Sequence, residues 1–305
     1  MYLGISAYNH QSAAALINEE GELINYYREE QLSRIKGDNS FPKNSIKKLF
    51  ETNSLKIDDI KNVIFYEKPL SAYLNPLKVA AKNLPESLNL ISHQLKNFKK
   101  TSLFCFVDLA KAYPGLEQKL LYIDHHLSHT LSALAYAESF KNICSVVADG
   151  FGDRSTTSIS FVNNPNEIKE LWSCDYPFSL GLFYSAITDF LGFAINEGEY
   201  KVMGLAAFGI KDSSFYNKMN KLIFWDKNEQ TIKMDLSYFE YHKNIYNSFS
   251  IKLEELFGSS RNPLENLDVN NNDFQRYANI AFAAQEVLTN ILKELFRHAH
   301  QLTGC

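Results

Sequence analysis

Two blocks of the chain carry the same order of signals, short β-prone runs joined by a polar turn and followed by a helical stretch. That order restricts the fold more than any other feature. In the first block Tyr2-Leu3-Gly4-Ile5-Ser6 is β-prone, residues 13–18 are apolar, Glu19-Glu20-Gly21-Glu22 turns, and residues 23–27 return. A polar, glycine-containing turn between apolar runs predicts a hairpin. Phe41-Pro42 then opens a helix with Ile46, Leu49 and Phe50 at helical spacing, and residues 62–66 read as a buried strand. Residues 70–113 read as helical. In the second block residues 120–124 predict a strand, and 125–138 a helix with Leu127, Leu131, Leu134 and Ala135 in phase. Residues 143–148 and 156–162 predict strands around the turn Asp149-Gly150-Phe151-Gly152-Asp153. Further on, 183–190 reads as a short buried helix, 211–272 as polar loops and helices, and 274–302 as a long amphipathic helix stopped near Gly304. Hairpins mixed with helices imply an α/β fold with mixed sheets rather than a purely parallel one.

Composition narrows the function classes. The 305 residues suffice for a well-buried core, and 45% hydrophobic residues exclude a disordered chain. With 31 basic against 35 acidic side chains the net charge is −4, which gives no basis for general nucleic-acid affinity. No apolar run approaches the roughly 18 residues of a membrane span, and the first residues lack a secretory pattern. Cys105, Cys144, Cys174 and Cys305 show neither metal-type nor disulfide-framework spacing. A cytoplasmic protein is expected.

The densest chemical signal is His125-His126-Leu127-Ser128-His129. On a helix His125 and His129 share one face, close enough to share a cation, while His126 points elsewhere. No glutamate stands at the second position, so this is not the zinc-protease pattern. The plain alternative is a helix start that happens to hold polar histidines. Asp149 ends an apolar strand ahead of Gly150, a placement seen in metal and nucleotide sites and equally in ordinary hairpin turns. Two imidazoles and a carboxylate suit iron, zinc or manganese. His10 suits a general base or an oxyanion donor, and Lys36 or Arg34 an anion contact. A solvated charged face accounts for residues 29–36 equally well. Glu197, Glu199 and Lys201 beside Gly204 and Ala206 suit close packing near a ribose or phosphate, or plain helix packing. No P-loop and no dinucleotide fingerprint occurs.

Taken in order, these motifs resemble a known family. His10 with Ser12-Ala13-Ala14, Glu29-Glu30 with Arg34 and Lys36, and Phe41-Pro42 are similar to the opening of carbamoyltransferases of the nodulation and antibiotic-biosynthesis type. So are the histidine cluster, Asp149-Gly150, Ser179-Leu180-Gly181 with Tyr184, and Lys201-Val202-Met203-Gly204-Leu205-Ala206. The resemblance covers nearly the whole chain and thins over residues 70–119 and 211–272. It implies an actin, sugar-kinase and heat-shock-ATPase fold, with residues 1–119 as a first subdomain carrying a helical insertion. Residues 120–305 would hold the metal-site helix and the start of a second subdomain.

The resemblance also implies O-carbamoyl transfer from carbamoyl phosphate and ATP, through carbamoyl-adenylate, to a hydroxyl of a sugar or small natural product. By position, His125, His129 and Asp149 match metal ligands, usually described with iron, and His10 and Lys36 the residues around the carbamoyl group. Gly150, Glu197, Glu199 and Lys201 fall where the AMP moiety is approached. Two positions depart from the pattern: Gln11 stands where aspartate is usual, and Gln31 where arginine is frequent. The family's adenylate-forming domain would lie beyond Cys305, so a C-terminal domain or second polypeptide is an expected partner. Transfer of threonylcarbamoyl to tRNA, or a non-catalytic nucleotide- or metal-binding subunit, are the alternatives. Neither nucleic acid nor membrane is an expected partner of the lead reading.

Overall fold

The computed structural model describes residues 1–9, 11–137, 141–164, 166–270 and 273–305, Ser213 by its backbone alone. His10, the helix end expected at Glu138 and the end of the polar stretch at Asn272 lie outside the described residues. The chain divides into two units, Met1–Asn75 with Ser92–Ser132, and Pro76–Ile91 with Ala133–Cys305.

Alternation builds the first unit. In β1 (Tyr2–Ser6) Leu3 and Ile5 point inward, and in β2 (Ala13–Ile17) Ala14 and Leu16 do so. The antiparallel register sets Leu3 opposite Leu16 and Ile5 opposite Ala14, so the apolar positions share one face. The chain continues through β3 (Leu23–Arg28), α1 (Glu29–Ser33), α2 (Lys43–Thr52) and β4 (Asn62–Phe65). β4 runs parallel to β1 and sets Val63 beside Leu3 and Phe65 beside Ile5. Then come α3 (Pro69–Lys82), α4 (Leu88–Lys96), α5 (Cys105–Ala112), β5 (Leu120–Tyr122) and α6 (His125–Leu134). Among the described residues this unit holds one five-stranded sheet of order β3-β2-β1-β4-β5, antiparallel at the β3 end and parallel at the β5 end. The mixed sheet expected from the hairpin signals is present. Ile46 and Leu49 of α2 and Leu109 of α5 close the core over Leu3, Leu16, Val63 and Phe65.

The second unit carries β6 (Ile143–Ala148), β7 (Ser155–Asn164) and β8 (Glu167–Asp175) as an antiparallel sheet. α7 (Leu180–Phe190), α8 (Glu199–Ala206) and α9 (Ser213–Leu222) follow, then the hairpin β9 (Ile223–Asp226) and β10 (Thr231–Met234), α10 (Ile251–Phe257) and α11 (Phe274–Thr303). α11 buries Ile280, Ala284, Val287, Ile291 and Leu295 on one face against Phe183, Ile187 and Val202. It ends where Gly304 takes φ of 70° and donates its N–H to the His300 carbonyl at 2.7 Å, the glycine stop that its sequence announces. Among the described residues no helix is long and apolar enough to cross a membrane.

His242 sits 4% exposed in this unit, its Nδ1 without a hydrogen-bond partner among the described residues. Burial lowers the imidazole to about 4, the neighbouring Lys243 ammonium acts in the same direction, and Glu86 opposes both. The folded protein therefore rejects a proton that the unfolded chain accepts near the ordinary value of about 6.5. Stability from this group is complete above pH about 6.5 and drains away towards pH about 4, at no more than about 1.4 kcal/mol per pH unit. Denaturation midpoints of wild type and His242→Gln at pH 7 and pH 5 check this. The wild type should lose more than the variant on acidification, and equal losses would remove His242 from the acid response.

Candidate active site and metal centre

Backbone pairing puts the Lys36 turn beside the loop between β1 and β2. Tyr8, at φ of 78°, donates its N–H to the Asn39 carbonyl at 2.7 Å, and Ser12 donates to the Asp38 carbonyl at 2.8 Å. The Asn39 amide returns a bond to the Tyr8 carbonyl at 3.2 Å. Gly37 donates to the Glu30 carboxylate at 3.0 Å, which holds the near end of the same turn. Lys36 is exposed at its tip. The Arg28 guanidinium spans the Gln11 amide oxygen and the Glu30 carboxylate. Gln11 thus offers an acceptor without the charge of a carboxylate. Ser12 is fully buried and its hydroxyl has no partner among the described residues.

The charged run 29–36 is not a uniform solvated face. Glu29 is 1% exposed, and its carboxylate accepts bonds from the Asn44 backbone N–H (3.1 Å), the Asn44 side chain (2.8 Å), the Ser45 N–H (2.8 Å) and the Ser45 hydroxyl (2.7 Å). It caps α2 from a distance, where the exposed N–H groups and the helix dipole favour a negative charge. Gln31, Arg34, Ile35 and Lys36 are exposed, as the plain reading of that stretch required.

Asp124 begins α6 by accepting bonds from the His126 N–H at 3.1 Å and the Leu127 N–H at 3.3 Å, the usual work of an N-cap carboxylate. One turn later the spacing of four brings His125 and His129 together, Nε2 to Nε2 at 3.1 Å with the rings edge to face. His126 is buried, with its ring 6.2 Å from that of His125. Two imidazole nitrogens each about 2.1 Å from one ion, at angles between tetrahedral and square, would stand about 3.0 to 3.4 Å apart. The pair fits a divalent cation. A direct bond between the two rings, one donating and one accepting, fits the same distance.

Asp149 belongs to the second unit, directly after β6. Its N–H donates to the Thr156 carbonyl at 2.8 Å, and its Oδ1 accepts from the Gly150 N–H at 2.6 Å. Ser179, the N-cap of α7, accepts the Leu182 N–H at 3.0 Å, and its hydroxyl lies 2.7 Å from the Gly150 carbonyl and 3.2 Å from that of Asp149. The turn therefore rests on the start of α7. The position that needs glycine is not the one the motif suggested. A Cβ at Gly150 would meet nothing nearer than Leu182 at 4.0 Å, whereas a Cβ at Gly181 would lie 2.7 Å from both the Gly150 Cα and N. A small residue two places after a serine cap was the available signal, and only the long-range packing gives it meaning.

Of the expected nucleotide-side residues, Glu199 opens α8 and accepts from the Asn196 N–H at 2.9 Å and the Ser185 hydroxyl at 3.0 Å, so its oxygens already hold local structure. Glu197 and Lys201 are exposed, the Lys201 ammonium lying 5.9 Å from the ring centres of Phe193 and Tyr200. Arg261 is a further device that the sequence did not disclose. It is 6% exposed and donates to the carbonyls of Leu191 (2.6 Å), Gly192 (2.7 Å) and Glu265 (2.6 Å), fixing the strap after α7.

Comparison with known proteins agrees with the motif order. A family model described as Carbamoyltransferase N-terminus matches residues 1–302. The uncharacterized protein sll1178 of Synechocystis sp. is 30% identical over 99% of this chain and 48% of its own length. The nodulation protein NolNO of Sinorhizobium fredii is 30% identical over 67% of this chain and 28% of its own length. The uncharacterized protein MJ1051 of Methanocaldococcus jannaschii is 27% identical over 70% of this chain and 34% of its own length. The chain spans about half or less of each of these relatives.

Proposed function

We propose, from the premise that this chain belongs to the carbamoyltransferase N-terminus family, that it is the acceptor-side part of an O-carbamoyltransferase. The match over residues 1–302 is the observation that carries this reading. A nodulation protein among the relatives agrees with it. The sheet order β3-β2-β1-β4-β5, a hairpin followed by parallel strands, supports reading the first unit as actin-like.

In the proposed reaction the oxygen of an acceptor hydroxyl bonds to the carbamoyl carbon of carbamoyl-adenylate, and the bond to the phosphate oxygen breaks to release AMP. Negative charge grows on the carbonyl oxygen and then on the leaving phosphate. Lys36, on a turn pinned at both ends, meets that charge with an ammonium whose placement costs little at the moment of reaction. His10 takes the proton that the hydroxyl loses. Gly150, Glu197 and Lys201 lie on the AMP side, with Glu199 shaping the start of α8. His125, His129 and Asp149 would hold a divalent ion, iron foremost with zinc or manganese as alternatives. Such an ion would supply Lewis-acid stabilisation of the developing charge. Carbamoyl phosphate and ATP would reach this site as the adenylate made by a separate domain or polypeptide, in the cytoplasm, and the acceptor would be a small molecule rather than tRNA.

Elemental analysis of the purified protein, wild type against His125→Ala/His129→Ala, tests the centre. About one iron, zinc or manganese per chain is expected in the wild type and none in the double variant, with transfer from synthetic carbamoyl-adenylate lost together with the metal. Undiminished transfer by the metal-free double variant would overturn the assignment.

A further inference from the structure

We propose that Tyr66 is a positioning residue whose two ends serve two parts of the site: its hydroxyl fixes residues 7–9, against which the Lys36 turn is paired, and its ring fixes the His125 imidazole. This rests on the metal reading above and adds to it a side chain that none of the motifs contains. Tyr66 directly follows β4, the strand beside β1, so it stands next to the loop that leaves β1. Its hydroxyl donates to the Ala7 carbonyl at 3.1 Å and accepts from the Asn9 side-chain amide at 3.3 Å. That amide also donates to Glu67, a carboxylate only 3% exposed, at 3.1 Å. Residues 7–9 are thus tied by three hydrogen bonds to Tyr66 and Glu67, just after β4, and Tyr8 adds a fourth through its hydroxyl to Asp108 of α5 at 3.0 Å. At its other edge the Tyr66 ring packs on the His125 imidazole, centroids 5.4 Å apart at 60°.

The physical need for each contact is separate. Tyr8 has φ of 78°, a conformation that a non-glycine residue holds only when its surroundings over-determine it. Bonds at Ala7 and Asn9, one on either side of Tyr8, supply that. His125 emerges at the first residue of α6, where no preceding helical turn restricts its side chain. An aromatic edge against the ring removes that freedom and leaves Nε2 facing His129. Fixing a ligand before the ion arrives is the role outer-shell contacts play in metal sites.

The two ends can be separated by substitution. Tyr66→Phe keeps the ring contact and deletes the hydroxyl, while Tyr66→Leu deletes both. Cobalt(II) is the probe, followed by its visible absorption, together with amide hydrogen exchange of Tyr8 and Asn9 by NMR in the metal-free chain. Tyr66→Phe should speed exchange at these amides about 10-fold, the worth of roughly one hydrogen bond, and leave cobalt affinity unchanged. Tyr66→Leu should speed exchange equally and weaken cobalt binding on the order of 10-fold. Equal cobalt loss in both variants, or unaltered exchange in Tyr66→Phe, overturns the division. A wild type that takes up no cobalt defeats the metal reading instead. The ring's hold on His125 is then judged by the imidazole proton signals of the metal-free chain, displaced in Tyr66→Leu and retained in Tyr66→Phe if the inference holds. Unmoved signals in Tyr66→Leu overturn it.

Discussion

Gly181→Ala is expected to unseat the Asp149 turn, costing about 2 to 3 kcal/mol of stability and, with Asp149 in the ligand role proposed above, the metal content of the proposed centre. The added methyl would stand 2.7 Å from the Gly150 Cα and N and 2.9 Å from the Asp149 carbonyl carbon. All three are backbone atoms, so no rotamer change relieves the overlap. Either α7 retreats or the turn lifts, and lifting breaks the bond from the Ser179 hydroxyl to the Gly150 carbonyl at 2.7 Å. Asp149 moves with that backbone, while the His125–His129 pair, on a different element, keeps its 3.1 Å spacing. Gly150→Ala is the control, since its methyl meets only Leu182 at 4.0 Å. Thermal melting and elemental analysis of the two variants should diverge, with Gly150→Ala near wild type in both. If the two behave alike, close approach is not what fixes this turn.

That contrast shows which parts of the site a linear reading reaches. The histidine spacing was legible because i and i+4 on a helix is a local rule, and Asp124 makes the local cap that starts α6. The hairpin β2–β3 and the glycine stop of α11 were legible for the same reason. β8 was not, since Lys169 and Glu170 face solvent and its run reads as polar surface until β7 supplies the partner. The β9–β10 hairpin was hidden likewise in a stretch dominated by Asn and Lys. Glu29, Tyr66 and Arg261 gain their roles from groups 15 to 70 positions away. Such roles follow from which elements meet, and no window of sequence contains both partners. The helical stretch 70–113 was right in kind, yet it divides into α3, α4 and α5, the first break falling at Pro85.

Glu29→Ala should destabilise the first unit by about 3 kcal/mol, because one side chain answers four donors. Two of those donors, the Asn44 and Ser45 N–H groups, belong to the open first turn of α2 and have no helical partner by geometry. With the carboxylate gone they stay buried without an acceptor, and the positive end of the helix loses its counter-charge. Glu29→Gln separates these effects. Its oxygen still serves one pair of donors, but its amide nitrogen confronts the other pair, so it should fall between wild type and alanine. Because α2 supplies Ile46 and Leu49 to the core, the damage should register as a lower midpoint for the whole unit rather than as fraying. The consequence for chemistry runs through the chain itself. Glu29 is followed by Glu30, whose carboxylate holds Gly37 at 3.0 Å and so sets the height of the Lys36 turn. In Glu29→Gln, which should remain folded, the proposed carbamoyl transfer should therefore fall even at temperatures well below its midpoint. A variant with lowered stability and unchanged transfer would confine Glu29 to the fold and detach it from the placement of Lys36.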